Sequence, residues 1–109
     1  MRYKLTIKTG FLLSILLSIS SVSFAQLKKA NSYFEEGQYI NAITYYQKVL
    51  KKDASNPQAN QNIAFSYRKL KDYTNAELFY AKATELNPNE SSNFLYYGQA
   101  LKNNNKVKE

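Results

Sequence analysis

The sequence predicts an all-α protein, a helix-turn-helix repeat solenoid that follows an N-terminal signal peptide. Between Asn60 and Pro88, apolar residues recur at helical spacing in two runs separated by a polar break. This pattern is typical of two amphipathic helices that form one hairpin. The same pattern returns one repeat period earlier and, in part, one repeat period later, so that Ala64 corresponds to Ala30 and to Gly98. We therefore expect about 2.5 copies of one hairpin.

Small and aromatic residues mark the repeat. Ala30, Ala64 and Gly98 occupy one position in successive copies, and Ala42 and Ala76 occupy a second position. We predict that these small residues let the two helices of a hairpin approach each other closely. Large rings are expected to fill the space between hairpins, because each can remove roughly 150–250 Å² from water. These rings are Tyr33, Tyr46, Tyr67 and Tyr80.

The period and the residue classes together resemble the tetratricopeptide repeat. The middle copy carries the family pattern as Ile63-Ala64-x2-Tyr67, Ala76-x3-Tyr80 and Pro88. It departs from that pattern at Asn60, which replaces the first bulky residue, and the first copy departs at Lys29. The resemblance implies one repeat domain at residues 26–109, with repeats at about 23–56 and 57–90 and a partial repeat at 91–109.

Turn residues place the helices along the chain. We expect five helices, at about residues 26–36, 40–52, 57–70, 74–86 and 91–103. Gly37 is expected to close the first helix, and Asn56 to cap the third. Ser91 or Asn89 is expected to cap the fifth helix, and Asn103-Asn104-Asn105 to form the turn that follows it.

Composition argues against catalysis. The chain has no Cys and no His, which excludes thiolate nucleophiles, Cys-ligated metals and the usual proton shuttle at neutral pH. The acidic pair Glu35-Glu36 and the scattered Ser and Lys offer no paired acid and base. We therefore predict no catalytic residue, no metal site and no cofactor.

Residues 1–25 have the features of a secretory signal peptide. Three basic residues precede a mostly apolar run at residues 11–24, and Ser23-Phe24-Ala25 is a small-x-small cleavage site. Cleavage would leave Gln26 at the N-terminus and no membrane span. An uncleaved anchor is the alternative, but the apolar run is short of the ~20 residues that a membrane span needs.

The charge of the chain does not indicate a nucleic-acid partner. Residues 1–25 hold three of the fifteen Lys and Arg, so the remainder carries twelve basic residues against eight acidic ones, a net charge of +4. The basic residues are scattered and interrupted by acidic ones, whereas a nucleic-acid footprint would be a denser stripe.

The resemblance implies a concave groove that holds an extended peptide, lined by the first helix of each hairpin. We call this surface the inner face. Amides there can pair with a peptide backbone, two Phe are expected to be exposed, and a basic rim favours acidic groups or a terminal carboxylate. The predicted binding residues are Asn31, Phe34, Gln61, Phe65, Arg68, Lys69, Gln99 and Lys102.

A specialised groove in the family clamps a terminal carboxylate with Lys, Asn, Asn, Lys and Arg. The corresponding residues in this chain are Leu27, Asn31, Asn62, Ser92 and Tyr96. Only the two Asn match. The sequence therefore does not support chaperone-tail binding of that type.

The predicted function is a non-catalytic interaction scaffold of the bacterial cell envelope, in the periplasm or at the outer membrane. The chain looks similar to the leading segment of exported proteins that continue into a propeller-like domain and an OmpA-like peptidoglycan-binding domain. We expect it to be the leading part of a longer exported protein, or a truncated copy of one. The alternative is an accessory repeat segment of a larger exported enzyme or peptidoglycan-binding protein. A bare flank at Phe94, Tyr97 and Leu101 favours a partner or self-association.

Overall fold

The computed structural model describes residues 23–108, which form five α-helices and no strand. Helix α1 covers residues 23–35. The others are α2 (Tyr39–Lys52), α3 (Pro57–Lys69), α4 (Tyr73–Leu86) and α5 (Ser91–Lys108). The all-α prediction is thus confirmed for this part of the chain. In residues 23–108, no helix combines the length and the apolar character that crossing a membrane requires.

Most of the expected signal peptide, residues 1–22, lies outside the described residues. Its last three residues belong to α1, so the prediction that the first helix begins at Gln26 is wrong. Phe24 and Leu27 of this helix line a cleft with Val49 of α2, and Phe24 is largely exposed.

The helices stack in chain order, with α2 packed on α3, α3 on α4 and α4 on α5. The small residues lie where the repeat predicts. Ala30 and Ala42 are fully buried in one core cluster, and Ala64 and Ala76 are fully buried in the next. Rings complete both clusters, since Tyr46 belongs to the first and Tyr80 to the second. The predicted packing of small residues against aromatic ones is therefore confirmed.

The first helix of each complete hairpin ends in the same backbone motif. Gly37 has φ +74°, and the next amide, that of Gln38, donates to the Tyr33 carbonyl at 2.8 Å. In the second hairpin, Lys71 has φ +62°, and the Asp72 amide donates to the Tyr67 carbonyl at 2.9 Å. This is the Schellman closure of a helix, which favours glycine at the left-handed residue. The second hairpin makes it with lysine, at a cost in backbone strain.

Side-chain caps begin the later helices. Asn56 accepts a hydrogen bond from the Ala59 amide at 2.9 Å, and Asp72 accepts one from the Asn75 amide at 3.2 Å. The expected caps of α5, Ser91 or Asn89, are wrong. The residue before this helix is Glu90, whose carboxylate accepts from the Ser92 hydroxyl at 2.7 Å. A carboxylate there suits the positive end of the helix dipole.

Helix α5 continues through residues 103–105, where we expected a turn, so that prediction is wrong. The side chain of Asn104 explains the difference. It donates to the Tyr73 carbonyl at 2.9 Å and to the Glu77 carboxylate, both on α4. These bonds hold the last part of α5 against α4, and no Gly or Pro interrupts the helix there.

The outer flank of α5 is open in the part of the chain that the structure describes. A cleft of about 330 Å³ lies between α4 and α5, with Phe94, Tyr97 and Gly98 on one side. Phe94 is 51% exposed, although the equivalent residue of the middle repeat, Asn60, is 0% exposed. A Cβ added to Gly98 would meet nothing within 4 Å, so the prediction that Gly98 permits a close helix approach is wrong. In the middle repeat, Ala64, the equivalent of Gly98, is fully buried in one cluster with Ala76 of α4. Self-association through this flank stays a prediction, which sedimentation velocity would test.

Candidate functional site

Three rings cross the inner face, one from each of its helices. Phe34 of α1 and Phe65 of α3 have ring centroids 5.3 Å apart, and Phe65 and Tyr96 of α5 have centroids 6.3 Å apart. Both pairs meet edge to face, a favoured geometry for aromatic pairs. We call these residues the aromatic row. Their spacing along the chain is shorter than the repeat period, so the row crosses the helices obliquely.

A second layer of rings supports the aromatic row from below. Tyr39 and Tyr46 of α2 lie 6.0 and 6.3 Å from Phe34, and Tyr80 of α4 lies 5.8 Å from Tyr96, centroid to centroid. Because of these contacts, Phe34 and Phe65 are half-buried rather than exposed as expected. They form the floor of the inner face and pack the hairpins together at the same time.

Arg68 is the cation closest to the aromatic row. Its guanidinium carbon lies 4.7 Å from the centroid of Phe65 and 4.1 Å from that of Tyr96. The Lys69 ammonium is farther away, at 5.8 Å from the Phe65 centroid. A cation over an aromatic ring is worth about 0.5–1 kcal/mol at exposed sites and more where water is excluded. The rings therefore hold Arg68 in place on the inner face.

Two amides meet at the hydroxyl of Tyr46. This hydroxyl donates to the Asn31 side-chain oxygen at 2.5 Å and accepts from the Asn62 amide nitrogen at 2.9 Å. Burial raises the pKa of Tyr46 to about 12, which the hydrogen bond from Asn62 offsets only in part. Tyr46 is therefore a neutral hydroxyl at physiological pH, and it fixes one amide from α1 and one from α3.

A cleft of about 560 Å³ continues the inner face beyond this pair of amides. Leu27 and Asn31 of α1 line it, with Gln58 of α3 opposite. Glu35 also lines the cleft and gives this end of the inner face an acidic group. The inner face is therefore polar and mixed in charge at α1 and aromatic and basic towards α5.

The structure brings together five of the eight predicted binding residues. Phe34, Phe65, Arg68 and Lys69 form one cluster, and Asn31 joins it through Tyr46. The other three show no ring contact or hydrogen bond to this cluster among the described residues. Of these, Gln61 is half-buried, and Gln99 and Lys102 are exposed.

Sequence reasoning did not identify Tyr39, Tyr46 or Tyr96 as part of the site. Tyr46 was expected only in the core, and Tyr96 only as a mismatch to the carboxylate clamp. The equal spacing of Phe34, Phe65 and Tyr96 along the chain was the signal that could have found Tyr96. Among the described residues, no three or more His, Asp or Glu side chains lie close enough together to hold a metal ion.

Comparisons with known proteins match this architecture. Residues 33–108 match the family model of the tetratricopeptide repeat. The first repeat domain of Spaghetti (RPAP3), bound to the HSP90 peptide SRMEEVD, is 30% identical with a TM-score of 0.68, over 79% of this chain and 68% of that one. The second repeat domain of human RPAP3, in complex with the HSP70 peptide SGPTIEEVD, is 28% identical with a TM-score of 0.68, over 79% and 75% of the chains.

The repeat domain of Arabidopsis OM64 has a TM-score of 0.71 over 81% of this chain and 73% of that one. At 22% identity this likeness shows the fold alone. The comparison with curated proteins finds no relative of this chain.

Proposed function

This chain belongs to the tetratricopeptide-repeat family, and from that premise we propose that it is a non-catalytic scaffold whose inner face binds an extended segment of a partner protein. The observation that carries the proposal is the aromatic row, which reaches across α1, α3 and α5 and is only half-buried. Aromatic and Arg side chains are the residues enriched at the centres of protein interfaces.

The polar groups beside the row support binding of an extended chain. Tyr46 orders the amides of Asn31 and Asn62, and Asn31 also lines the cleft. Side-chain amides can both donate to and accept from a peptide backbone. Two structural neighbours, at 30% and 28% identity, hold the peptides SRMEEVD and SGPTIEEVD respectively, which agrees with this use of the fold.

Binding at the aromatic row should depend on Phe65 and not on Phe94. Peptides selected from a displayed random library against the chain are the probe. For Phe65→Leu, which keeps an apolar side chain but removes a ring of the row, we expect their Kd to rise about tenfold, a change of about 1.4 kcal/mol. Phe94→Leu is the matched control on the outer flank and should leave the Kd unchanged.

Fluorescence anisotropy with labelled peptides measures both values, and circular dichroism checks that each variant is folded. Equal Kd values for Phe65→Leu and the unsubstituted chain would place binding elsewhere and contradict the proposed function.

Location in the bacterial envelope is also part of the proposal. Its support is the sequence of residues 1–25, with a basic start, an apolar run and a small-x-small site.

Export predicts a shortened product. When the 109-residue, 12.6 kDa chain is expressed in a Gram-negative host, we expect the periplasmic extract to contain a species that begins at Gln26. Intact mass spectrometry of the fractions measures this. Ala25→Phe should block cleavage and leave the precursor with the membranes. Recovery of the intact chain from the cytosol would contradict export without touching the binding proposal.

A further inference from the structure

We infer that Arg68 binds negative charge on the bound peptide. Its guanidinium pairs with a side-chain carboxylate within an acidic segment of that peptide. The inference rests on the proposed function and adds the chemistry of the ligand. It concerns where the charge of the ligand lies, on an internal Glu or Asp rather than at the end of the chain.

The two rings fix the position of the Arg68 head group. Its guanidinium carbon lies over both Phe65 and Tyr96, at 4.7 and 4.1 Å from the two centroids. The N–H groups of a guanidinium lie in its plane, in the fork geometry that suits a carboxylate. Because the long side chain is already ordered, little entropy would be lost in immobilising it when a ligand binds.

The terminal nitrogens of Arg68 are the donors that a ligand could reach. Its Nε atom is shielded from solvent and is not available to a ligand. The guanidinium lies close to the buried hydroxyl of Tyr80, since burial raises the pKa of Tyr80 and hydrogen bonding to Arg68 lowers it in part. The Arg68 side chain as a whole is only half-buried. It therefore contributes a positive charge to the floor of the inner face.

The neighbouring positions argue for an internal carboxylate. A clamp for the terminal carboxylate needs several cations together, but Leu27, Ser92 and Tyr96 occupy those positions here. The ring of Tyr96 instead supports Arg68 from α3. A single fork can pair with one carboxylate at any point along an extended peptide. The aromatic row on either side offers contact area to the residues that flank that carboxylate.

Three forms of one peptide separate the two kinds of recognition. The probes are SRMEEVD, its C-terminal amide, and SRMQQVD, in which both Glu become uncharged Gln. We expect SRMQQVD to bind about tenfold or more weaker than SRMEEVD, in keeping with the strength of charge-assisted hydrogen bonds. The C-terminal amide should bind within about twofold of the free acid.

Variants at two positions assign the effect. Arg68→Gln should abolish the difference between SRMEEVD and SRMQQVD, and Arg68→Lys should keep only part of it, because lysine keeps the charge but lacks the planar fork. Lys51→Gln is the control, since it removes one exposed positive charge from the last turn of α2, outside the binding cluster, and should preserve the difference. Circular dichroism confirms that each variant is folded.

Either of two results overturns the inference. One is a loss of affinity when the C-terminus of the peptide is amidated. The other is a difference in affinity between SRMEEVD and SRMQQVD that survives in Arg68→Gln. Failure of SRMEEVD to bind overturns it as well. The proposed function stands or fails separately, on the library peptides and Phe65→Leu.

Discussion

Tyr46→Ala is expected to lower the free energy of unfolding by about 3–5 kcal/mol, the usual cost of removing a large buried ring. Tyr46 is 0% exposed, packs against Phe34, and bonds to Asn31 and Asn62. A small domain has about 5–15 kcal/mol of stability in total, so this variant should be largely unfolded at elevated temperature. Urea unfolding followed by circular dichroism measures the change.

Tyr46→Phe is the control that separates ring from hydroxyl. It keeps the buried ring and removes the two hydrogen bonds, for which we expect a loss of about 1–3 kcal/mol. If both variants lost the same stability, the amide network rather than the packing of the ring would hold these helices together.

Leucine at one repeat position should lower the free energy of unfolding in the middle copy and raise it in the last copy. Ala64→Leu adds volume at a residue that is 0% exposed, within the cluster that contains Ala76 and Tyr80. Overpacking of this kind costs about 1–3 kcal/mol. Gly98→Leu, at the equivalent position of the next copy, adds a Cβ that would meet nothing within 4 Å and should gain about 0.5–1 kcal/mol from helix propensity.

Thermal or urea unfolding of the two variants side by side measures this contrast. If Gly98→Leu were as destabilising as Ala64→Leu, the flank of α5 would be covered in solution. Sedimentation velocity of the same samples would then show whether a second copy covers it.

The repeat period was enough to predict the helices and the buried alanines. The reason is physical: Ala30, Ala42, Ala64 and Ala76 are small wherever two helices come together, and that requirement returns with every hairpin. The turns were harder to predict from the residue composition. Lys71 adopts the same left-handed conformation as Gly37, because the hydrogen bonds that close the hairpin outweigh the backbone preference of lysine.

Two features could not be predicted, because they depend on contacts between repeats. The run at residues 103–105 is typical of a turn, yet Asn104 bonds across to α4 and stays helical. The aromatic row was missed because comparison at the repeat period pairs Phe34 with Arg68 and Phe65 with Gln99. Rings that touch across helices are here one turn out of register, and only the stacked arrangement of the helices reveals that offset.

The aromatic row joins the two hairpins to each other and to α5. Rings from α1, α3 and α5 touch in sequence, so a ligand lying along them, as we propose, would bridge both hairpins and α5. Such a ligand would oppose their separation and stabilise the whole array through mass action. By the same linkage, whatever changes the packing of the hairpins from outside would alter the affinity of the inner face.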